Sequence, residues 1–470
     1  MRIRKTLVGP WLRQLRRDHK QTQAEMAKAL GVSTAYVNLL ENNQRSLSVP
    51  VLMSLSDAYG VDWRELIKDE SSNLLADLRN AVQDPSFGKA VPDLQELRAA
   101  IDHAPRLVEQ FLKLYRNHRS ALENMMRLGN EGMLGDLVSR SPETIIHDFF
   151  RNHSNHFPEL ERAAEELRAK APCRVDDVYD VIKARLDRVH NIDVQTATIE
   201  DMKFALRIYD EQYSIIWLSE ALDHQNRVFQ IVHLLCLLEF PEVLKKLTDG
   251  SGIQSDSGIA RLNVELANYF AAAFLMPYET FYQTAERNRY DIDRIAAAFG
   301  VSFEQVCHRL TTLQREGARG VPFFFLRVDK AGNVTKRFNS TSFNLAEYGG
   351  ACPVWNIHTA FRTPGVIVPQ FVELSDGEKF FTLSRTTERP VFSRETQDRR
   401  LAISLGCEIK HAHRLAYAAP YNIQETGLFS PIGINCHICT RQSCSQRAHQ
   451  PLLNELPIDT NRRGNTRYES

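Results

Sequence analysis

Apolar residues recur at helical spacing through the first sixty positions. Met26, Ala27 and Leu30 fall on one face of a short segment, and Val37 and Leu40 on one face of the next. Thr22 and Glu25 form a capping-box pair, which predicts a helix starting at Gln23. Gly31 ends that helix, because glycine takes the left-handed conformation without a Cβ penalty. Ser33 then caps a second helix. Trp11, Leu12 and Leu15 predict a flanking helix before the pair, and Val51, Leu52, Leu55 and Tyr59 one after it. The pattern is a mainly α bundle built on helix, tight turn, helix, with the second helix of the pair free to enter a major groove.

The pattern changes three times further on. Residues 69–145 are polar, charged and helical in rhythm, with a breaker at Asp84–Pro85, and read as a connector that supports dimerisation. Residues 146–320 are helix-rich with one strand-like run, Tyr213–Leu218. In residues 321–460, Pro322–Val328 and Val334–Phe338 flank the turn-forming Asp329–Asn333 and predict a hairpin. Gly365–Leu374 and Lys379–Leu383 also read as strands, and the polar stretch after Pro457 as a frayed tail. Both later regions are α+β by this reading.

A chain of 470 residues has room for two to four domains, and a 43% hydrophobic, 25% charged composition is that of a globular protein. Its longest apolar runs, Ile231–Phe240 and Tyr269–Tyr278, are well short of the ~18 residues that suggest a membrane span. No apolar segment follows the basic N-terminus, so neither a signal peptide nor a membrane association is expected, and the cytoplasm is the expected location. Formal net charge is zero, but Arg2, Arg4, Lys5, Arg13, Arg16, Arg17 and Lys20 face only Asp18 in the first twenty residues, a footprint for phosphate.

The run Gln23-Ala-Glu-Met-Ala27, Gly31-Val-Ser33, Leu40-Glu-Asn42 and Gly60-Val-Asp-Trp63 resembles the lambda-repressor-like, XRE-type helix-turn-helix family, with the domain at residues 8–68. The resemblance implies that Gln23, Asn42 and Arg45 hold phosphates, and that Ser33, Thr34, Ala35, Tyr36 and Asn38 face bases. The residue types suit this. Thr34 and Asn38 offer hydrogen bonds, Ala35 a methyl contact to thymine, and Tyr36 could serve base or backbone. Readers of this kind pair across two half-sites, so a homodimer or homotetramer on a double-stranded operator is expected.

The segment Asn226–Glu239 is the candidate for a zinc-peptidase helix, which needs two histidines four apart and a glutamate between them. It offers His233, but Leu234 stands where the glutamate belongs and Leu237 where the second histidine belongs. Downstream, Glu265–Pro277 resembles the second signature helix of the ImmA/IrrE metallopeptidases, with Glu265 near the third-ligand position. This implies an ImmA/IrrE-like domain with its zinc site dismantled, and not an enzyme. A cleft lined by Leu234, Leu237 and Phe270 then becomes a candidate apolar ligand pocket. The competing reading is a metallopeptidase that cleaves a repressor. Asp291–Leu310 repeats helix, glycine, helix, but Phe303, Val306 and Leu310 point to packing rather than a second DNA reader.

Of eight cysteines, Cys436, Cys439 and Cys444 fall within nine residues, a spacing that suits thiolate ligation. A fourth ligand must come from elsewhere, with Cys407, Cys352, His437, His411 and His449 as candidates. Zinc and an iron–sulfur cluster compete, and one Cys-x-x-Cys followed by a lone cysteine suits the cluster better. A zinc-stabilised redox sensor is therefore a third reading. The stretches Cys352–His358, Leu405–His413 and Pro431–Arg447 resemble the C-terminal domain of short-chain fatty acyl-CoA regulators of the PrpR/RamB type, which join the same three regions in the same order. That resemblance covers nearly the whole chain. It implies control of propionate and acetate metabolism genes, a short-chain acyl-CoA effector and, in some members, a 4Fe–4S cluster, here with Cys407, Cys436, Cys439 and Cys444 as ligands and Cys352 as the alternative fourth. The effector's contacts are not legible. Arg151, Arg162, Arg174, Arg185 and Arg188 are candidates for its phosphates by position only.

Overall fold

The computed structural model describes residues 9–42, 44–45, 47–60, 71–84, 87, 92–128, 142–343, 351–387, 390, 399–423, 425, 427–451, 456 and 461. Arg2, Arg4 and Lys5 of the basic arm, Pro85, and Val61 to Trp63 of the motif lie outside them. The chain divides into two compact units, one ending at Leu137 and the other starting at Val138.

The first unit begins with helices α1 (Gly9–Asp18), α2 (Gln23–Leu30), α3 (Thr34–Glu41) and α4 (Val49–Tyr59). Leu12, Met26, Ala27, Leu30, Val37, Leu40, Val51 and Leu55 close over one core, the set that the helical spacing marks. Both predicted caps form. The Glu25 amide donates to Thr22 Oγ1 at 3.3 Å while the Thr22 amide donates to Glu25 Oε2 at 2.7 Å. Gly31 sits at φ +67°, where a side chain would be strained, and turns α2 into α3. Helices α5 (Ser71–Val82), α6 (Leu94–His103) and α7 (Pro105–Leu128) pack on each other through Leu78, Ala81, Leu97, Val108 and Leu112.

The second unit starts with α8 (Pro142–Asn152), α9 (Pro158–Lys170) and α10 (Val178–His190). A three-stranded sheet follows, β1 (Asp193–Ala197), β2 (Arg207–Asp210) and β3 (Ile215–Ser219), in the order β1-β3-β2, with α11 (Ile199–Met202) between β1 and β2. Then come α12 (His224–Glu239), α13 (Pro241–Asp249), α14 (Asp256–Leu275), α15 (Tyr278–Arg287), α16 (Ile292–Phe299) and α17 (Phe303–Leu310). Helix α14 runs through the centre: Leu262, Leu266, Ala267, Phe270 and Phe274 are fully buried.

A six-stranded sheet completes the unit, with β4 (Phe324–Val328), β5 (Val334–Asn339), β6 (Val368–Glu373), β7 (Lys379–Thr387), β8 (Leu401–Glu408) and β9 (Ser430–Pro431) in the order β5-β4-β8-β7-β6-β9. The predicted hairpin is β4–β5, its turn held by Asp329 Oδ1 accepting from the Ala331 and Asn333 amides. One face of the sheet joins the helical core through Phe325, Phe381, Leu383, Ile403, Leu405 and Cys407. The other packs on Phe343, Trp355 and Ile357. Thus residues 146–320 and the sheet that follows share one core. Gly406 on β8 makes room for the ring of Phe324, its antiparallel partner on β4, since a Cβ there would come within 2.3 Å of that ring.

The second helix-glycine-helix element, α16–α17, is part of that core. Arg309 on α17 is fully buried, and Val306 and Leu310 with it, so this helix presents no face to a duplex. Its packing role agrees with the apolar spacing.

Candidate nucleic-acid interface and thiol pocket

Helix α3 is held from behind and open in front. Ser33 caps it, its Oγ accepting from the Tyr36 amide at 3.2 Å. Val37 and Leu40 are buried, while Ser33, Thr34, Ala35 and Asn38 are exposed and Tyr36 is half-buried. The Arg45 guanidinium lies 5.0 Å from the Tyr36 ring centre. The Asn42 amide donates to Asn38 Oδ1 at 2.8 Å, and Asn42 Oδ1 accepts from Arg13 at 2.9 Å. The eight expected contact residues thus sit on α3, its two ends and the start of α2. Gln23 is the one whose side chain turns inward, donating to Glu41 Oε2 at 2.8 Å.

Sequence reasoning missed Glu41. It is 2% exposed at the end of α3. Arg16 binds its carboxylate with both Nε (2.6 Å) and NH2 (3.2 Å). Burial alone would raise the Glu41 carboxyl, but the Arg16 and Gln23 hydrogen bonds and the Arg16 and Arg13 charges outweigh it and hold it below the usual range. Two cations of the basic N-terminal stretch are therefore spent on fixing α3 against α1. The signal was an acidic residue directly after Leu40, on the apolar face of a short helix.

Replacing Asn38 with Ala is expected to cost about 1–3 kcal/mol at one operator position. Binding to a panel of single-base operator variants checks this. An equal loss on every duplex removes the base-reading role of Asn38.

In the second unit, Cys352, Cys436, Cys439 and Cys444 line one small pocket with Gly433, Asn435, Arg441 and Arg447. The Gly433 amide points at Cys352 Sγ (3.4 Å) and the Ala448 amide at Cys436 Sγ (3.5 Å). A Cβ on Gly433 would lie 2.7 Å from Cys439 Sγ, so only glycine lets this loop close. Arg441 pins the loop to β6 through the Glu373 carbonyl at 2.5 Å, and Arg447 donates to the Arg441 carbonyl. Burial pushes the Cys352 thiol up, against the lowering effect of the Gly433 and Val354 amides. Among the described residues no three Cys, His, Asp or Glu side chains converge closely enough to hold a metal ion as they stand.

Cys407 is not among these thiols. It lies on β8 opposite Phe381, fully buried, on the face that packs against the helices, whereas Cys352 belongs to the core on the other face. Strand alternation decides this: Ile403, Leu405 and Cys407 all face one side. Its place as preferred fourth partner of Cys436, Cys439 and Cys444 therefore passes to Cys352, the alternative. His437 stacks on His449, with ring centres 4.5 Å apart.

His233 is a core histidine with local bonds. Nδ1 meets Arg207 at 3.1 Å and Nε2 the Val264 carbonyl at 3.3 Å, and burial followed by the Arg207 charge pulls its pKa down to about 4. Leu234 is buried and Leu237 half-buried. The cleft expected at Leu234, Leu237 and Phe270 is filled, since Phe270 is sealed in the core with its ring 5.1 Å from that of Phe240. Open cavities lie elsewhere. One of about 480 Å³ is lined by Arg168, Arg174, Thr280, Thr284 and Phe299. Another, of about 250 Å³, lies between α8, α14 and β5. Of the candidate arginines, Arg174 lines the first, and Arg185 is spent on Glu239 through two 2.7 Å bonds.

Three family models match in succession. They are a helix-turn-helix over residues 12–66, an IrrE N-terminal-like domain over 187–311, and the C-terminal domain of short-chain fatty acyl coenzyme A regulators over 312–468. A propionyl-CoA carboxylase regulator of Cereibacter sphaeroides is 39% identical over 99% of both chains. The HTH-type transcriptional regulator PrpR of Mycobacterium tuberculosis is 35% identical over 99% of this chain and 96% of its own. RamB of the same species is 34% identical over 97% of each. A solved M. tuberculosis transcriptional regulator superposes with TM-score 0.66 at 34% identity, covering 70% of this chain and all of its own. Fold and site thus define a helix-turn-helix transcriptional regulator. The chain belongs to the short-chain fatty acyl-CoA regulators of the PrpR/RamB type. No described helix is long and apolar enough to cross a membrane.

Proposed function

We propose that the chain binds a double-stranded operator through α3 and regulates genes of short-chain acyl-CoA metabolism in response to an acyl-CoA. The observation that carries this is α3 itself: an apolar back face locked to the bundle, a front face of Thr34, Ala35 and Asn38, and arginines at its end. The relatives' names supply the metabolic setting. Effector binding biases two readers in a homodimer or homotetramer toward or away from operator spacing. The 480 Å³ cavity supports the effector role, since Arg168, Arg174, Thr280 and Thr284 offer donors to phosphate oxygens and Phe299 an apolar wall.

The second unit acts here as a binding domain and not as a peptidase. One imidazole and one carboxylate, His233 and Glu265, each already bonded within the protein, cannot hold a catalytic zinc with an open position.

Cys352, Cys436, Cys439 and Cys444 are assigned to one thiolate-bound centre, a 4Fe–4S cluster ahead of zinc. The donor set supports this: four thiols round one pocket, with backbone amides aimed at two of the sulfurs. When bound, such a centre cross-links the Pro431–Arg447 loop to Cys352. Anaerobically purified protein is expected to show broad visible absorbance that Cys352→Ser removes and Cys407→Ser leaves in place. Colourless protein carrying one zinc excludes the cluster.

The decisive experiment is operator binding with propionyl-, acetyl- and free CoA on anaerobic protein. A change in affinity with a thioester is expected, and no change with any of them ends the sensor reading.

A further inference from the structure

Lys336 projects from β5, within the C-terminal family domain, onto α14 of the IrrE-like domain. Its ammonium lies 3.0 Å from Glu265 Oε2 and 5.1 Å from the Phe338 ring centre. His233 on α12 and His308 on α17 are both close enough to feel the charges of Lys336 and Glu265. Glu265 is the carboxylate donor type of a zinc-peptidase site, and here it pairs with an ammonium rather than a metal. The zinc that a peptidase-like fold implies does not fit this arrangement. The imidazole nitrogens of His233 are bonded to Arg207 and Val264, and the carboxylate is held by the lysine.

We propose that Lys336 is a tethered counter-cation that balances Glu265 where a divalent ion would otherwise be needed, and that it latches the C-terminal sheet to the IrrE-like helices. The proposal rests on the non-enzymatic reading of the second unit. Charge supports it. Burial works to raise the Glu265 carboxyl, and Lys336, by its charge and its hydrogen bond, is the largest influence keeping it low. Burial leaves His233 and His308 neutral, at about 4 and about 3, so neither supplies the missing positive charge at neutral pH. Lys336 is thus the cation that contacts the carboxylate, and it arrives from a different domain. An ion diffusing in from solvent balances the charge without joining the domains. A lysine on β5 does both, and it does not depend on metal supply.

The latch is reached from outside. The 250 Å³ cavity is lined by His147, Phe150, Arg261, Glu265, Lys336 and Phe338 and opens on the pair. A small ammonium can therefore stand in for the lysine.

The test is a double-mutant cycle on the full chain with Lys336→Met, Glu265→Gln and the two combined, read as melting temperature at pH 7. Lys336→Met alone is expected to lose several degrees, because Glu265 is left without its cation. The combined variant is expected to recover most of that loss. Lys336→Ala is expected to gain melting temperature on adding ethylammonium chloride over a sodium chloride control, and Lys336→Ala with Glu265→Gln to gain none. If Lys336→Met does not fold, the same recovery is read as soluble yield of the combined variant. A combined variant no better than Lys336→Met, or an ethylammonium effect equal in the wild type, overturns the latch. Metal-dependent peptide cleavage by the wild type instead sinks the non-enzymatic reading and leaves the cycle's result standing.

Discussion

Arg309→Met is expected to destabilise the second unit by about 3–5 kcal/mol at pH 7.5. Arg309 is fully buried, and its carboxylate partner Glu161 nearly so. NH1 and NH2 meet the two Glu161 oxygens at 2.6 and 2.9 Å, Nε meets the Met276 carbonyl at 3.0 Å, and Tyr269 Oη donates to Glu161 Oε1 at 2.6 Å. The pair ties α17 to α9 across the core. Removing the guanidinium strands a carboxylate in an apolar interior, which costs more than the pair contributed.

The pH dependence follows from Glu161. In the wild type burial raises its pKa, but the Arg309 charge and the hydrogen bonds from Arg309 and Tyr269 prevail and hold it low. A depressed carboxyl contributes stability above its unfolded pKa of about 4.3, and that contribution is lost as pH falls through the folded value. In Arg309→Met burial has less to oppose it and the pKa rises, so the variant loses stability as pH increases. The gap between wild type and variant is therefore expected to narrow toward pH 5 in denaturant unfolding. Adding Glu161→Leu is expected to restore most of the loss. A gap that stays constant with pH, or a double variant no better than the single, contradicts this account.

Glu41→Ala is expected to cost the reading domain about 3 kcal/mol, the lower end for an orphaned buried ion, since Arg16 keeps some access to water. The two Arg16 bonds, the main polar tie between α1 and α3, are lost, while the Arg13 bond to the main-chain carbonyl of residue 41 survives. Faster hydrogen exchange in α2 and α3 within the full chain reports the loss. The wild-type contribution is present above about pH 4.3 and falls away as pH drops through the depressed folded value. The variant lacks that dependence. Operator affinity is expected to fall while binding to unrelated duplex DNA holds or rises, because Arg16 loses its carboxylate partner. Unchanged exchange rates would show that Glu41 is dispensable.

Local order decided how much could be read in advance. Thr22, Glu25, Gly31 and Ser33 fix α2 and α3 through contacts within a few residues, so caps, turn and the exposed front of α3 were legible. The β4–β5 hairpin was legible for the same reason. Strand β8 was not. Leu401–Cys407 is buried on both faces, so it shows no alternation of apolar and polar positions to separate a strand from a helical core segment. Strands β1 and β2 are short, and several of their positions are exposed.

By itself the sequence determined the helix-turn-helix with the exposed front of α3, the placing of leucines at 234 and 237 beside His233, and the grouping of Cys436, Cys439 and Cys444, because each rests on neighbours in the chain. Tertiary structure alone decided the pairings over long separations: Cys352 rather than Cys407 beside those thiols, Glu41 with Arg16, Glu161 with Arg309, and Lys336 against Glu265. The physical reason is that a buried charge or thiol takes its partner from whatever the folded core brings within a few ångströms, and chain spacing carries no record of that.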